Sequence, residues 1–501
     1  LSKQPTLEEW EITEKEKLSL HDLEQFLWKA ANILRKPSEY KDYILALLFY
    51  KRLDDVYLEE YKKLLKEYED EEIAKEKFHR FVIPDGCHWS DIRKISVNVG
   101  EKLNEVLEKI AKRNPELDGV INRIDFNDKQ RLPEHKLVQL IEHFSKINLG
   151  NGKVEPDVLG RAYEYLIKQF ALESGKKGGE FYTPKEVVRV LVEILSPDEG
   201  YEICDPACGS GGMLIESFYY LKRKGKDTKK ILLYGQEIDF TTWMIAKMNM
   251  ILHNIEAEII LGDSLADPRF LEEDGSLKKF DIVLTNPPWN QKGYRAIAET
   301  DKFRRFVFGI APENSADWAW IQHLLAILRD DGRGGIVLDM GSLFRGGAEK
   351  EIRKKIIEKD WIECVIALPE KLFYNTGAPG CLIIFNKNKP EERKGKILFI
   401  NASIEYEELR NMNRLRDQDI EKIVKAYFDF KDGDGYSRVV DIKEIRENDY
   451  NLNVSLYVAP IVEEEEVDIP KVWQKIEEKE KEREKVLGEI KGYLEELKLM
   501  E

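Results

Sequence analysis

Residues 285–290 read Thr-Asn-Pro-Pro-Trp-Asn and follow Phe280–Leu284, an apolar run that reads as a buried strand. Asn286 and the carbonyl of Pro287 set two hydrogen-bond acceptors side by side. Pro287 and Pro288 fix φ and carry no N–H, so those carbonyls can face a ligand without a competing local bond. Two acceptors aimed at an amino group would pull its nitrogen toward tetrahedral geometry and localise its lone pair. Trp289 adds a π-face, and stacking a nucleobase on an aromatic side chain contributes roughly 1–3 kcal/mol. That is comparable with the few kcal/mol needed to take a base out of a duplex. Alone, the same stretch also suits a loop that ends a strand, with Trp289 packed into the core.

Other strand ends carry polar groups in register. "YEICDPACGSGGMLIESFYYL" reads as a strand, an acid, a glycine-rich turn and a helix. Gly209, Gly211 and Gly212 allow a sharp turn and close ligand approach, and the helix N-terminus offers free N–H groups. Asp205 and Pro206 precede the glycines, and an acid there suits a cationic or amine-bearing ligand better than a pyrophosphate. No G-x-x-x-x-G-K-[ST] stretch is present, so no ATPase motor is visible. Glu237, in "GQEID", can accept both hydroxyls of a ribose. Asp263, in "LGDSL", stands where an adenine amino group could donate to it.

These strand ends need a framework to hold them. Before residue 150 apolar residues recur at three- and four-residue spacing, as in Leu20, Leu23, Phe26, Leu27 and Ala30, which predicts an all-helical N-terminal domain over 1–150. From 151 to 460, short apolar runs alternate with helix-length segments, which predicts an α/β domain with a mostly parallel sheet. Candidate strands are "YEICD", "ILLYGQE", "AEIIL", "FDIVLTN", "GGIVLDM", "IECVIAL" and "CLIIFNK". Residues 461–501 form a linker and a C-terminal helical tail. Trp473, Ile476, Leu487, Ile490, Leu494 and Leu497 share its seam, interrupted by Glu480 and Arg483, so it suits either a solvated tail or a subunit-docking helix.

The 501 residues imply several domains. A hydrophobic fraction of 42% beside 35% charge describes a soluble protein, and no apolar stretch long enough to span a bilayer occurs. The chain opens without an apolar signal core, so a cytoplasmic location is the default. Five cysteines without a C-x-x-C pair point to reduced thiols rather than a zinc site, and no metal is expected. A net charge of −16 means that any contact with nucleic acid must come from local basic patches or a partner. The stretch 291–309 carries Lys292, Arg295, Lys302, Arg304 and Arg305 among aromatics, which suits a loop that orders over phosphates, or an ordinary solvated loop. Nothing around Pro84-Asp85 supports a nuclease core.

"DPACGSGG" and "NPPW", separated by "GQEID" and "GDSL", resemble motifs of S-adenosylmethionine-dependent DNA amino-methyltransferases, which have a Rossmann-like catalytic domain. "GGEFYTPKEVV" is similar to the segment that closes over the methionine part of the cofactor, which implies roles for Phe181, Tyr182, Thr183 and Pro184. With "SLFRGGAEKEIRKKIIE", "ALPEKLFYNTGAP" and "NDYNLNVSLYV", the resemblance extends to the modification (M) subunit of type I restriction-modification systems over about nine tenths of the chain. It departs in "VLDMGSLFRGG", where the family pattern carries Pro in place of Asp339 or Met340.

The resemblance implies methylation of adenine N6 in double-stranded DNA, with Asn at the first motif position. Ring-carbon methylation of cytosine would need a nucleophilic cysteine, typically after Pro, and no Pro-Cys pair exists. Phe373, in "LFYNT", would be a second wall of the base pocket or a core residue. No target-reading domain remains, so a separate specificity (S) subunit in an M2S2 assembly is implied, with an ATP-dependent restriction subunit as a further partner. An amino-methyltransferase acting on protein or RNA, and a non-catalytic cofactor-binding assembly subunit, are the alternatives.

Overall fold

The computed structural model describes residues 17–34, 40–174, 183–373, 376–409, 412–459 and 469–496. Residues up to Val458 form one compact unit and Ala459–Glu501 a second. In the first, helices α1 (Leu20–Asn32), α2 (Lys41–Tyr68), α3 (Val99–Arg113), α4 (Glu134–Phe144) and α5 (Pro156–Ser174) precede any strand. Ser19 caps α1 by accepting from Asp22 N–H, which satisfies one of the orphan donors of the first turn.

Strands and helices then alternate. They run α6 (Lys185–Leu195), β1 (Glu202–Asp205), α7 (Gly212–Arg223), β2 (Leu232–Glu237), α8 (Phe240–Leu252), β3 (Glu258–Leu261) and β4 (Phe280–Thr285). After them come α9 (Asp317–Ile327), β5 (Leu328–Asp339), α10 (Ala348–Glu358), β6 (Ile362–Ala367), β7 (Gly380–Asn386) and β8 (Lys396–Asn401). A ribbon of β9 (Glu407–Glu408) and β10 (Asn413–Arg414), α11 (Asp417–Asp429) and β11 (Ser437–Asp441) follow.

The nine-stranded sheet has the order β11-β8-β6-β7-β5-β4-β1-β2-β3. It is mostly parallel, as expected; β7 runs against β5 and β6, and β11 against β8. Each of the seven candidate strands is found in this sheet. β8 and β11, which extend it beyond β6, were not among the candidates. Every residue of β6 and β7 is buried, the mark of strands covered on both faces.

Alternate residues feed two cores: Cys364 and Ile366 face one with Leu191, Leu214 and Ile423, while Val365 and Ala367 face the other with Trp318, Leu324 and Ile356. A third core joins the N-terminal helices to Tyr163 and Leu166 of α5 and to Met244, Met248 and Leu252 of α8. The helical segment therefore rests on the first α/β elements, so the geometry of β2 and β3 depends on it.

From β1 the sheet steps outward to β2 and β3, and β4 returns on the other side of β1. A crevice opens at such a switch point, beyond the carboxyl ends of the strands. Asp205, Glu237, Leu261 and Thr285 end β1 to β4, so the groups picked out in the sequence gather there. In the second unit, α12 (Ile469–Glu496) leaves Trp473, Ile476, Leu487 and Ile490 exposed. Leu497 lies outside the described residues. No helix among the described residues is long and apolar enough to cross a membrane.

Candidate active site

Asp205 ends β1 with its side chain buried, and Oδ1 accepts from Ala207 N–H at 3.1 Å. Burial pushes its carboxyl up to about 7, the nearby charge of Glu237 adds to this, and the Ala207 N–H opposes it. The turn that follows needs its glycines. Gly209 and Gly211 have φ of 54° and 84°, and a Cβ on Gly211 would sit 2.4 Å from the Met250 methyl. Among the described residues a Cβ on Gly212 would meet nothing within 4 Å, so they leave the start of α7 uncovered. Neighbouring elements pin the turn: Asn249 Nδ2 donates to Ser210 O at 2.9 Å, and Ser264 Oγ donates to Pro206 O at 2.5 Å.

Glu237, at the end of β2, uses both carboxylate oxygens. Oε2 accepts from Gly209 N–H and Oε1 from Asp239 N–H, each at 2.9 Å. Burial raises its carboxyl above the ordinary range, and these N–H groups oppose the rise. Beside it Ile238 is 54% exposed, an apolar surface at a strand end. Asp263 Oδ1 accepts from Leu265 and Ala266 N–H, and Oδ2 accepts from the Tyr294 hydroxyl at 2.8 Å. Ile238 and Tyr294 were missed in the sequence. The available signals were an apolar residue between two acids, and an aromatic inside a basic stretch.

Beyond β4, Asn286 is buried, and two partners of opposite sense set its amide. Nδ2 donates to Thr183 Oγ1 at 2.9 Å, while Oδ1 accepts from Trp289 Nε1 at 3.0 Å. Trp289 Nε1 also lies 3.3 Å from Val337 O, so the indole N–H points inward. Thr183 thereby reaches the acceptor turn, while Pro184 stands at the N-cap of α6; Phe181 and Tyr182 lie outside the described residues.

Phe373 is buried edge-to-face against Trp289, with centroids 4.8 Å apart at 70°. Two rings that sandwich a base need roughly 7 Å between them, twice a van der Waals contact. The pair as it stands is a packed contact, so the two walls expected for a base pocket are not separated.

A cavity of about 710 Å³ has Thr183, Asp205, Gly209, Gly212 and Asn286 in its lining. Its size lies within the range of small-molecule sites. It runs on between α5, α6 and α7 past Glu164, Lys185 and His253. Glu237 and Asp263 stand at adjacent strand ends and do not line it.

Of the basic residues after the turn, Lys292, Arg295, Lys302 and Arg304 are exposed. Arg305 corrects the expectation of a phosphate contact: it is 3% exposed and its guanidinium bonds Asp301 at 2.7 Å and the carbonyls of Ser264 and Leu265. It ties this loop to the segment after β3. A charge so enclosed is held by its partners and is not offered to solvent.

Comparison with known proteins agrees with this geometry. Residues 154–466 match the N-6 DNA Methylase family, and residues 23–144 match the HsdM N-terminal domain. The MjaVIII methylase subunit of a type I restriction enzyme from Methanocaldococcus jannaschii is 42% identical, over 97% of this chain and 86% of its own length. The MpnII methylase subunit from Mycoplasma pneumoniae is 29% identical over 95% of this chain and 96% of its own. A type I restriction-modification methyltransferase subunit from Streptococcus thermophilus superposes with a TM-score of 0.77 at 31% identity, covering 88% of this chain and all of that one. With Asp205 and Asn286 at the ends of adjacent parallel strands and family matches over both its helical and its α/β regions, the chain belongs to the N-6 DNA methylases of type I restriction enzymes, as a methylase subunit.

Proposed function

We propose that this chain transfers a methyl group from S-adenosylmethionine to adenine N6 of double-stranded DNA, within an M2S2 complex whose S subunit reads the sequence. We further propose the division expected from the sequence: a helical domain over 1–150, a catalytic domain over 151–460 and an assembly tail over 461–501. An ATP-dependent restriction subunit would be a further partner.

The residues fit the cofactor. The cavity is of suitable size, the described residues leave Gly212 in its lining uncovered, and Asp205 is an enclosed acid facing it. Bound there, S-adenosylmethionine supplies an electrophilic methyl group on a sulfonium. Asp205 would ionise beside that cation and hold its end of the ligand. Glu237 and Asp263 would take the ribose and the adenine amine through the lone pairs that their present partners leave. Ile238 would cover one face of the ring.

The observation that carries the reading is the orientation of Asn286. Thr183 accepts from its Nδ2 and the Trp289 N–H donates to its Oδ1, so the amide is held in one orientation with its oxygen end at the aromatic turn. Oδ1 and the Pro287 carbonyl would then accept the two N6 hydrogens and leave the nitrogen lone pair free to attack. Trp289 would stack the flipped base once Phe373 parts from it.

The test is transfer of labelled methyl to DNA by this chain with its S subunit, followed by nucleoside analysis. N6-methyladenine that forms only with S and disappears in Asn286→Ala is the expected result. Robust transfer to protein or RNA with none to DNA plus S would overturn it.

A further inference from the structure

Presentation of Asn286 and Pro287 depends on where their turn sits, and β4 fixes only its first end. The second end is Asn290, which has φ +54°. Asn is among the few residues that take this left-handed conformation as single positions. Its N–H donates to Asp317 Oδ1 at 2.9 Å, and its Nδ2 donates to Asp339 Oδ2 at 2.6 Å. Asp317 opens α9 with a fully buried side chain, and Asp339 closes β5.

Two carboxylates gripping one residue repel each other unless a cation stands between them. Arg345 is that cation. Nη2 bonds Asp317, Nη1 reaches the two Asp339 oxygens at 3.1 and 3.2 Å, and Nε donates to Glu349 at 2.7 Å. The planar fork spreads its donors in fixed directions toward the three acids, whereas an ammonium's donors all radiate from one nitrogen. None of Asp317, Asp339 and Arg345 lines the cavity that holds Asp205 and Asn286. Asp339 also lies in the stretch where the resembled pattern carries Pro in place of Asp339 or Met340, and here its carboxylate is one jaw of the grip.

We propose that Asp317, Asp339 and Arg345 are positioning residues for methyl transfer, clamping Asn290 and thereby setting where Asn286 and Pro287 meet the target amine. The clamp rests on the reading of Asn286 and Pro287 as the acceptors. It acts on geometry alone, so it governs turnover and leaves cofactor binding untouched.

The test uses the full chain in complex with its S subunit, as wild type, Arg345→Lys, Asn290→Gly and Asn286→Ala. Asn290→Gly keeps the backbone donor and tolerates the positive φ but drops the Asp339 anchor, so it decides the matter should Arg345→Lys fail to fold. A misplacement of about 1 Å costs on the order of 100-fold in rate. Arg345→Lys is therefore expected to lose about 100-fold in kcat, and Asn290→Gly about 10-fold. In both, the dissociation constant for S-adenosylmethionine and the KM for DNA should stay near wild type, while Arg345→Lys, which leaves the buried Asp317 less well paired, should lower the thermal midpoint. Full turnover in both variants, beside loss of methylation in Asn286→Ala, would overturn the clamp alone. Loss of cofactor affinity in step with kcat would also overturn it, since the residues would then be structural. Methylation that survives Asn286→Ala would overturn the acceptor reading and the clamp with it.

Discussion

Replacing Asp205 with Asn should make the cofactor-free protein more stable while weakening cofactor binding. Burial moves the Asp205 carboxyl from its ordinary 3.8 to about 7. Between those values the folded protein holds a proton that the unfolded chain has already released. Stability therefore falls as pH rises through that window and stays low above 7. At about 1.4 kcal/mol per pH unit, the full gap is worth about 4 kcal/mol. Asn mimics the protonated acid in shape and carries no charge, so Asp205→Asn should recover up to about 4 kcal/mol above pH 7 and almost nothing near pH 4.

The assay is the urea midpoint of each protein at pH 4.5 and pH 8.5, compared as midpoints because a chain of several domains need not unfold in one step. Calorimetric titration with S-adenosylmethionine near pH 6 supplies the second half. Binding to the wild type should release a proton, seen as an enthalpy that changes with the buffer, and Asp205→Asn should bind weakly without that dependence. A variant that is less stable than wild type at pH 8.5, or a wild-type enthalpy indifferent to buffer, would refute the account of Asp205 as a strained acid awaiting a cation.

Four further outcomes follow from particular residues. Arg305→Ala breaks a buried ion pair and should cost about 3–5 kcal/mol in urea unfolding. The exposed neighbour change Arg304→Ala should leave stability within about 0.5 kcal/mol, and if Arg304 meets a phosphate it should lower the salt slope of DNA affinity by about one. Gly160→Ala would place a Cβ 2.3 Å from the ring of His253, so a loss of about 1–3 kcal/mol from overpacking is expected in the same assay. Removing residues 468–501 takes away the exposed Trp473, Ile476, Leu487 and Ile490, and co-purification with the S subunit should be lost.

Most of the sheet was legible as continuous apolar runs closed by a polar residue, although β8, with Ile397–Ile400 closed by Asn401, is such a run and was missed. β1, β2 and β4 carry their acid or Asn at the end, so sequence alone aligned Asp205, Glu237 and Asn286. β11 escaped because its half-exposed edge holds only Val439 and Val440 as an apolar pair. β7 read as a strand, but its direction depends on the connection. No helix lies among the described residues between Ala367 and Gly380, and a parallel neighbour would need a crossover of a dozen or more residues, usually helical.

Site residues divide along the same line. Asp205 and the glycines announce themselves because their chemistry is local. Arg305 read as a surface cation because a sequence shows charge and hides burial; its partners lie 4 residues before it in Asp301 and about 40 residues before it in two carbonyls.

Two of the unread residues, Tyr294 and Arg345, matter through a partner about 30 residues away in the chain. Tyr294 acquires meaning from Asp263, and Arg345 from Asp317 and Asp339. This also resolves the conflict between an acidic site and a polyanionic substrate. Asp205, Asp263 and Asp339 stand at or just beyond strand ends and Asp317 shares Arg345 with Asp339; left bare, these acids would repel the phosphates of a DNA substrate. The structure gives Asp317 and Asp339 a guanidinium and gives Asp263 a tyrosine hydroxyl. Asp205 receives no basic side chain, and its carboxyl resists ionising until a cation arrives. A fixed arginine at Asp205 would fill the place of the ligand. The clamp acids, which hold a turn and bind nothing that leaves, can keep theirs permanently.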